Sequence, residues 1–274
     1  MEHRASKRLH EALEALYDRF NDRSFIHPDP LELLYQWDDG SDREIAGLIA
    51  SSLAYGRVKQ ILRSASSVLE RMKPSPSSFI KVAGEGSLIS LFSSFRHRFT
   101  TGEELVSLLK GIQRVVLTYG SLQECFMKHL KRGDATVVPA LTGFVKELAG
   151  SSGGKSSLLP SPGQGSACKR LFLFLRWMVR KDTVDPGCWE GCDRSKLVIP
   201  LDTHMHRICR CLGLTDSRHG QLATALKITG AFRELAPADP VRYDFSLTRL
   251  GIREECDPGA FFNACGIPWD GKKG

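Results

Sequence analysis

The sequence predicts an all-α protein, and three observations carry that reading. Apolar residues recur at helical spacing through most of the chain. Ser/Thr-x-x-Glu signatures, the pattern of a capped helix start, stand before three of the apolar stripes. No segment alternates apolar and polar residues with the period of two that a half-buried strand requires.

Leu9, Leu13, Leu16 and Phe20 define a first amphipathic helix. Asp29-Pro30 opens a second, short helix that runs to Trp37, with proline at its first position. Ser41-x-x-Glu44 reads as a capping box for a helix presenting Ile45, Leu48, Ile49, Ser52 and Leu53. Thr101-x-x-Glu104 caps a strong stripe from Leu105 to Val116, and Ser121-x-x-Glu124 caps a helix carrying Phe126 and Leu130. Val137, Leu141, Phe144, Val145 and Leu148 make another. Residues 149–166 are rich in Gly, Ser and Pro, have no period, and read as a linker loop. Helical spacing resumes at Cys168, Leu171, Phe172, Leu175, Met178 and Val179, followed by an irregular stretch over 181–198. A short helix runs from Thr203 to Leu212, and two more lie near 221–235 and 240–250, the last closed by Gly251 as a C′ glycine. The tail from 253 to 274 shows no clear element.

Composition sets the class. At 274 residues, 42% hydrophobic and 25% charged, the chain is long enough for a substantial core and ordinary for a globular protein. No run approaches the about 18 apolar residues of a membrane span, and the N-terminus is amphipathic, so the reading is a cytoplasmic protein with no membrane partner. The 38 Lys+Arg against 31 Asp+Glu give a net charge of +7, which leans toward an anionic partner such as nucleic acid. Cys188, Cys192, Cys209 and Cys211, with His204 and His206, can be drawn as a zinc site, but their spacings do not match the common C-x2-C knuckle. Inert buried thiols, with no metal and no cofactor, are the expectation.

The most informative segment is IPLDTHMHRI, residues 199–208. An apolar stretch ends at Asp202 and a helix begins at once, so one carboxylate is held at a helix N-terminus between apolar walls. Alone, this reads equally as a helix cap. Upstream, Pro162-Gly163-Gln164-Gly165-Ser166-Ala167-Cys168-Lys169 puts a glycine-rich turn before a helix start. In isolation Lys169 reads as a solvated surface lysine, and Gly163 and Gly165 as a turn.

Together these segments resemble the helix-hairpin-helix DNA glycosylase superfamily of endonuclease III and 8-oxoguanine glycosylase, and lie nearest the archaeal 8-oxoguanine glycosylase branch. There an apolar pair, Val-Asp-Thr-His and a helix carry the catalytic aspartate, and Asp202, Thr203, His204 and Arg207 occupy those places. The segment 165–182 is similar to the family's hairpin and the helix with its nucleophilic lysine. DREIAGLIASSLAYGRVKQI (42–61) resembles its first long helix, and DPVRYDFSLTRLGI (239–252) its penultimate one. Aligned on the hairpin glycines, the endonuclease III lysine falls on Ala167, two residues before Lys169. The cysteine-rich iron–sulfur tail is absent, since Cys256 and Cys265 cannot fill a four-thiolate cluster. The whole chain also resembles a bacterial family described as a domain of unknown function.

The resemblance implies two helical lobes about a cleft: a helical barrel over 40–150, and a second lobe from 1–39 plus 160–252 that carries the helix-hairpin-helix-like turn and Asp202. It implies base-excision repair: a DNA glycosylase with AP-lyase activity, acting as a monomer on double-stranded DNA that contains a damaged purine such as 8-oxoguanine. Lys169 would attack the sugar C1′, and Asp202 would stabilise the charge that develops there. Gly163, Gly165, Ser166 and Arg170 would hold a DNA phosphate. Tyr55 and Arg57 fall where the family inserts residues into the duplex. A non-catalytic helix-hairpin-helix DNA-binding protein is the alternative, and a helical interaction scaffold is a third reading, which predicts no steeply salt-dependent affinity for DNA. Trp177, Trp189, Phe261, Phe262 and Trp269 are expected in the core, and His204 and His206 receive no role.

Overall fold

The structure, a computed structural model, describes residues 2–150, 157–252 and 257–268. It is all-α apart from one two-stranded hairpin. The helices are α1 (Glu2–Phe20), α2 (Gly40–Ser52), α3 (Val58–Glu70), α4 (Pro76–Val82) and α5 (Glu85–Phe92). After the hairpin strands β1 (Arg96–His97) and β2 (Thr100–Thr101) come α6 (Gly102–Tyr119), α7 (Leu122–His129) and α8 (Val138–Ala149). The chain closes with α9 (Lys169–Val179), α10 (Thr203–Cys211), α11 (Leu222–Leu235), α12 (Asp244–Ile252) and α13 (Pro258–Ala264).

Helix α2 is the centre of the packing, touching α3, α4, α7, α9 and the 3-10 helix Pro30–Gln36. Its two buried acids explain part of this. Asp42 accepts the Ser77 amide at 2.8 Å and the Ser75 hydroxyl at 2.7 Å, at the start of α4. Glu44 accepts the Leu122 and Gln123 amides at 2.8 and 3.0 Å, capping α7, and the Trp189 indole N–H at 2.8 Å. One helix thus satisfies the orphan N–H groups of two others with carboxylates, the charge their N-termini favour. The Ser41–Glu44 box read from sequence is therefore corrected. The N-cap of α2 is Asp39, which accepts from the Ser41 and Asp42 amides. The Thr101–Glu104 box forms in both directions. Helices α6 and α8 meet closely at Gly111, where a Cβ would stand 2.2 Å from the Leu148 carbonyl oxygen.

Around α1, a second group forms: α1 packs on α12 and α13, and α10 packs on α12. One continuous apolar core runs through both groups, from Leu13 on α1 through Leu48 and Phe174 to Phe262. Trp177, Trp189, Phe261 and Phe262 are buried in it as expected, and Trp269 lies outside the described residues. Two boundaries differ from expectation. Gly251 lies inside α12, and the tail contains α13, capped by Asp257 with Pro258 at N1. Among the described residues no helix is long and apolar enough to cross a membrane.

Candidate functional site

Helices α9 and α10 bring Lys169 and Asp202 together: the Lys169 Nζ lies 3.4 Å from Asp202 Oδ2. Asp202 is the N-cap of α10, and its two oxygens are divided. Oδ1 accepts the Met205 amide at 2.8 Å, and Oδ2 faces the amine. Neither side chain is sealed off, with 34% and 22% of each exposed.

The pair sits where two hollows meet. The inner one, about 320 Å³, is walled by Lys169, Leu173 and Arg176 from one stripe of α9, and by Asp244, Phe245, Thr248 and Arg249 from α12. The outer groove, about 970 Å³, runs past Tyr55, Gly165, Ser166, Arg170, His206, Arg218 and His219. Asp202 is the sole carboxylate among the described residues that line this groove, against Lys169, Arg170 and Arg218. Its rim is therefore basic.

A buried ion network under the inner hollow fixes how α9 and α12 sit. Arg176 bonds to Asp185 at 3.0–3.1 Å and to Asp244. Arg180 bonds to Asp185, to Asp182 at 2.9 Å and to Asp239 at 3.0–3.1 Å. Burial works against the charge on both guanidiniums, but the surrounding carboxylates more than offset it and keep them ionised. Burial likewise pushes the Asp244 carboxyl up to about 6, with Arg176 opposing. Nearby, Arg249 bonds Asp29 at 2.5 Å. The sequence reading missed this network, although Arg176 inside the apolar run LFLFLRWMV was its signal.

Other expected residues have different positions. Gly165 is left-handed (φ +75°), which suits glycine, but its amide closes a turn on the Pro162 carbonyl at 2.9 Å. The Ser166 hydroxyl accepts the Cys168 amide at 3.3 Å. Gly163 is exposed beside the Ser161 hydroxyl and does not line the groove. Arg170 turns inward: it donates to the Ser52 carbonyl at 2.6 Å and to that of Ser157, and lies over the Tyr55 ring at 5.1 Å. The Tyr55 hydroxyl bonds to Thr100 Oγ1 at 2.6 Å and to the His97 carbonyl at 2.9 Å, which fixes its ring in the groove wall. Arg57 is exposed just before α3. Cys168, immediately before Lys169, is left-handed without being glycine (φ +45°), and α9 begins with no side-chain cap.

Among the described residues the cysteines form no ligand cluster. Cys188 and Cys192 are free thiols, pushed up to about 12 and about 11 chiefly by burial. Among the described residues no group of three or more His, Cys, Asp or Glu is placed to hold a metal ion.

No curated protein and no solved structure matches the chain. A family model described as "Protein of unknown function (DUF2400)" matches residues 29–253, a span that includes α2, both helices of the Lys169–Asp202 pair and all of α12. The chain belongs to that family.

Proposed function

We propose that this protein is a DNA N-glycosylase with AP-lyase activity that excises a damaged purine, such as 8-oxoguanine, from duplex DNA. The observation that carries the reading is the Lys169–Asp202 pair, 3.4 Å apart at the junction of a basic groove and a recessed hollow. An amine and a carboxylate in one accessible place are the two groups this chemistry needs. Asp202 takes the ammonium proton, and the free amine attacks C1′. The glycosidic C–N bond breaks, its electron pair leaves with the base, and the base takes up a proton. Opening of the sugar ring gives a Schiff base between Lys169 and C1′, from which β-elimination breaks the 3′ C–O bond to phosphate. The proton that the base takes up comes from Asp202, and the carboxylate so restored opposes the positive charge left at C1′. A hollow of about 320 Å³ falls in the range of sites that enclose one small ligand, and the reacting base would rotate out of the stack to enter it. The uncapped start of α9 and the basic rim favour the DNA phosphates.

Borohydride trapping on a panel of duplexes, each with one lesion, tests this. The expected result is a covalent adduct that disappears in Lys169→Ala, and base release reduced about 10²–10⁴-fold in Asp202→Asn. Base release that survives Lys169→Ala but is lost in Asp202→Asn points to a water-using glycosylase. Salt-dependent DNA binding with no base release on any lesion refutes catalysis and leaves a DNA-binding protein.

A further inference from the structure

The hairpin between α5 and α6 ends in a two-residue turn, Arg98-Phe99, because His97 pairs with Thr100 and Arg96 with Thr101. Phe99 is 79% exposed at its tip. Arg98 occupies the first turn position with φ +52°, a left-handed conformation in which such turns ordinarily place glycine. An arginine held there costs free energy that the surroundings must offset.

Those surroundings are tied together by hydrogen bonds. The fully buried His97 ring is bonded to the Ser64 hydroxyl at 2.9 Å and to the Tyr55 carbonyl at 3.1 Å. Tyr55 grips both strands through His97 and Thr100, and Thr101 passes directly into the capping box of α6. The hairpin base is thus fixed to the same tyrosine that walls the groove.

The tip is linked to the site through Gly56. The Arg98 side chain lies against Gly56, whose added Cβ would stand 2.7 Å from Arg98 Cδ, and Gly56 lines both hollows with Lys169 and Asp202. Arg96, Arg98, Arg57 and Lys59 are all exposed around this edge, and the Arg98 guanidinium is 5.4 Å from the Phe99 ring centre. An exposed aromatic ring with cations around it, one residue from an arginine that lies against a glycine of a basic groove, matches one kind of partner: a polyanion whose units have flat apolar faces.

We infer that Phe99, presented by the 96–101 hairpin, is a nucleic-acid stacking element that enters the base stack of a duplex bound in the groove. This rests on the proposed function for its partner, and it adds Phe99 to Tyr55 and Arg57, the positions at which the resemblance implies insertion into the duplex. Arg98 holds the turn against Gly56 and meets the backbone charge.

The test is binding to a duplex with a central tetrahydrofuran abasic-site analogue, measured by fluorescence anisotropy. Phe99→Ala is expected to weaken binding about 10-fold, the scale of one lost base–aromatic stack, while Phe99→Trp keeps the affinity and its added indole emission is quenched on binding. Because the side chain is exposed, both variants should melt as the wild type does. Unchanged affinity in Phe99→Ala, or an unquenched indole in Phe99→Trp, overturns the inference. If Lys169 still traps on lesion duplexes while Phe99→Ala binds normally, the stacking role fails and the enzymatic reading stands. If Phe99→Ala weakens binding but the wild type releases no base, the enzymatic reading fails and the stacking role stands. A wild-type protein that binds no duplex at low salt overturns both.

Discussion

Replacing Arg170 with alanine removes a guanidinium that ties the start of α9 to the C-terminal end of α2 and to the turn at Ser157. Hydrogen bonds from a charged donor contribute about 1.5–3 kcal/mol each where buried. The Ser52 contact is partly buried and the Ser157 contact is exposed, so the second counts for less. Stacking over Tyr55 adds about 0.5–1 kcal/mol. The expected loss is about 2–3 kcal/mol, a fall in Tm of roughly 5–10 °C for a chain of this size. A phosphate-binding role makes a different prediction. Each lost phosphate contact reduces the slope of log K against log salt by about 1 and leaves the Tm nearly unchanged. Thermal unfolding, combined with DNA binding between about 50 and 200 mM salt, separates the two. Arg170→Ala should melt early and bind more weakly by a constant factor at every salt concentration. An unaltered Tm with a slope reduced by one refutes the bracing role.

Two further outcomes follow from the buried polar groups. Glu44→Ala leaves two helix-terminal amides and the Trp189 indole N–H without their acceptor, and should cost about 3–5 kcal/mol in urea unfolding. Glu44→Gln, which keeps one acceptor oxygen, should cost less, and a Glu44→Ala variant within about 1 kcal/mol of wild type contradicts the capping. For His97, burial lowers the imidazole pKa below its ordinary 6.5, with Arg98 and Arg170 adding to the effect. The unfolded chain then binds the proton more readily, so stability is full above about pH 6.5 and declines as the pH falls through and below it. His97→Gln should flatten that decline between about pH 7.5 and 5.5, and an identical pH dependence in the variant would show that another group is responsible.

Much of this was legible because the signals are local. Leu9 to Phe20, Leu105 to Val116 and Val137 to Leu148 bury the faces their spacing marks. Asp202 caps α10 as its place before an apolar-to-helical switch requires. The same signal marks α3, where Ile61, Ala65, Val68 and Leu69 form a helical stripe that the sequence reading did not assign to a helix of its own. The hairpin had no such signal, because two-residue strands cannot show alternation. What sequence could not supply was the long-range partner. Glu44 fits a capping box by spacing, yet it caps a helix 78 residues away. Arg170 beside a glycine-rich turn fits phosphate binding, yet two backbone carbonyls claim it. In both cases the residue type was informative and its target was set by the tertiary fold.

The same distinction decides how the Lys169–Asp202 pair should be weighed. An ion pair earns a functional reading when the fold does not need it. Here α9 is already fixed to α12 and to the loop at Asp185 by Arg176 and Arg180, whose carboxylate partners are buried beneath the hollow. Lys169 and Asp202 lie at the rim, partly exposed and 3.4 Å apart, where an ion pair contributes about 0–1 kcal/mol. Nor does the cap depend on it, because Oδ1 alone serves Met205. Asparagine at 202 keeps that acceptor oxygen and removes the charge facing the amine, whereas alanine would cost about 1 kcal/mol through the lost cap. Lys169→Ala and Asp202→Asn should therefore remain folded with a near-native Tm. A steep loss of stability in either variant would mean that the pair holds the fold together, and loss of activity in it could not then be assigned to chemistry.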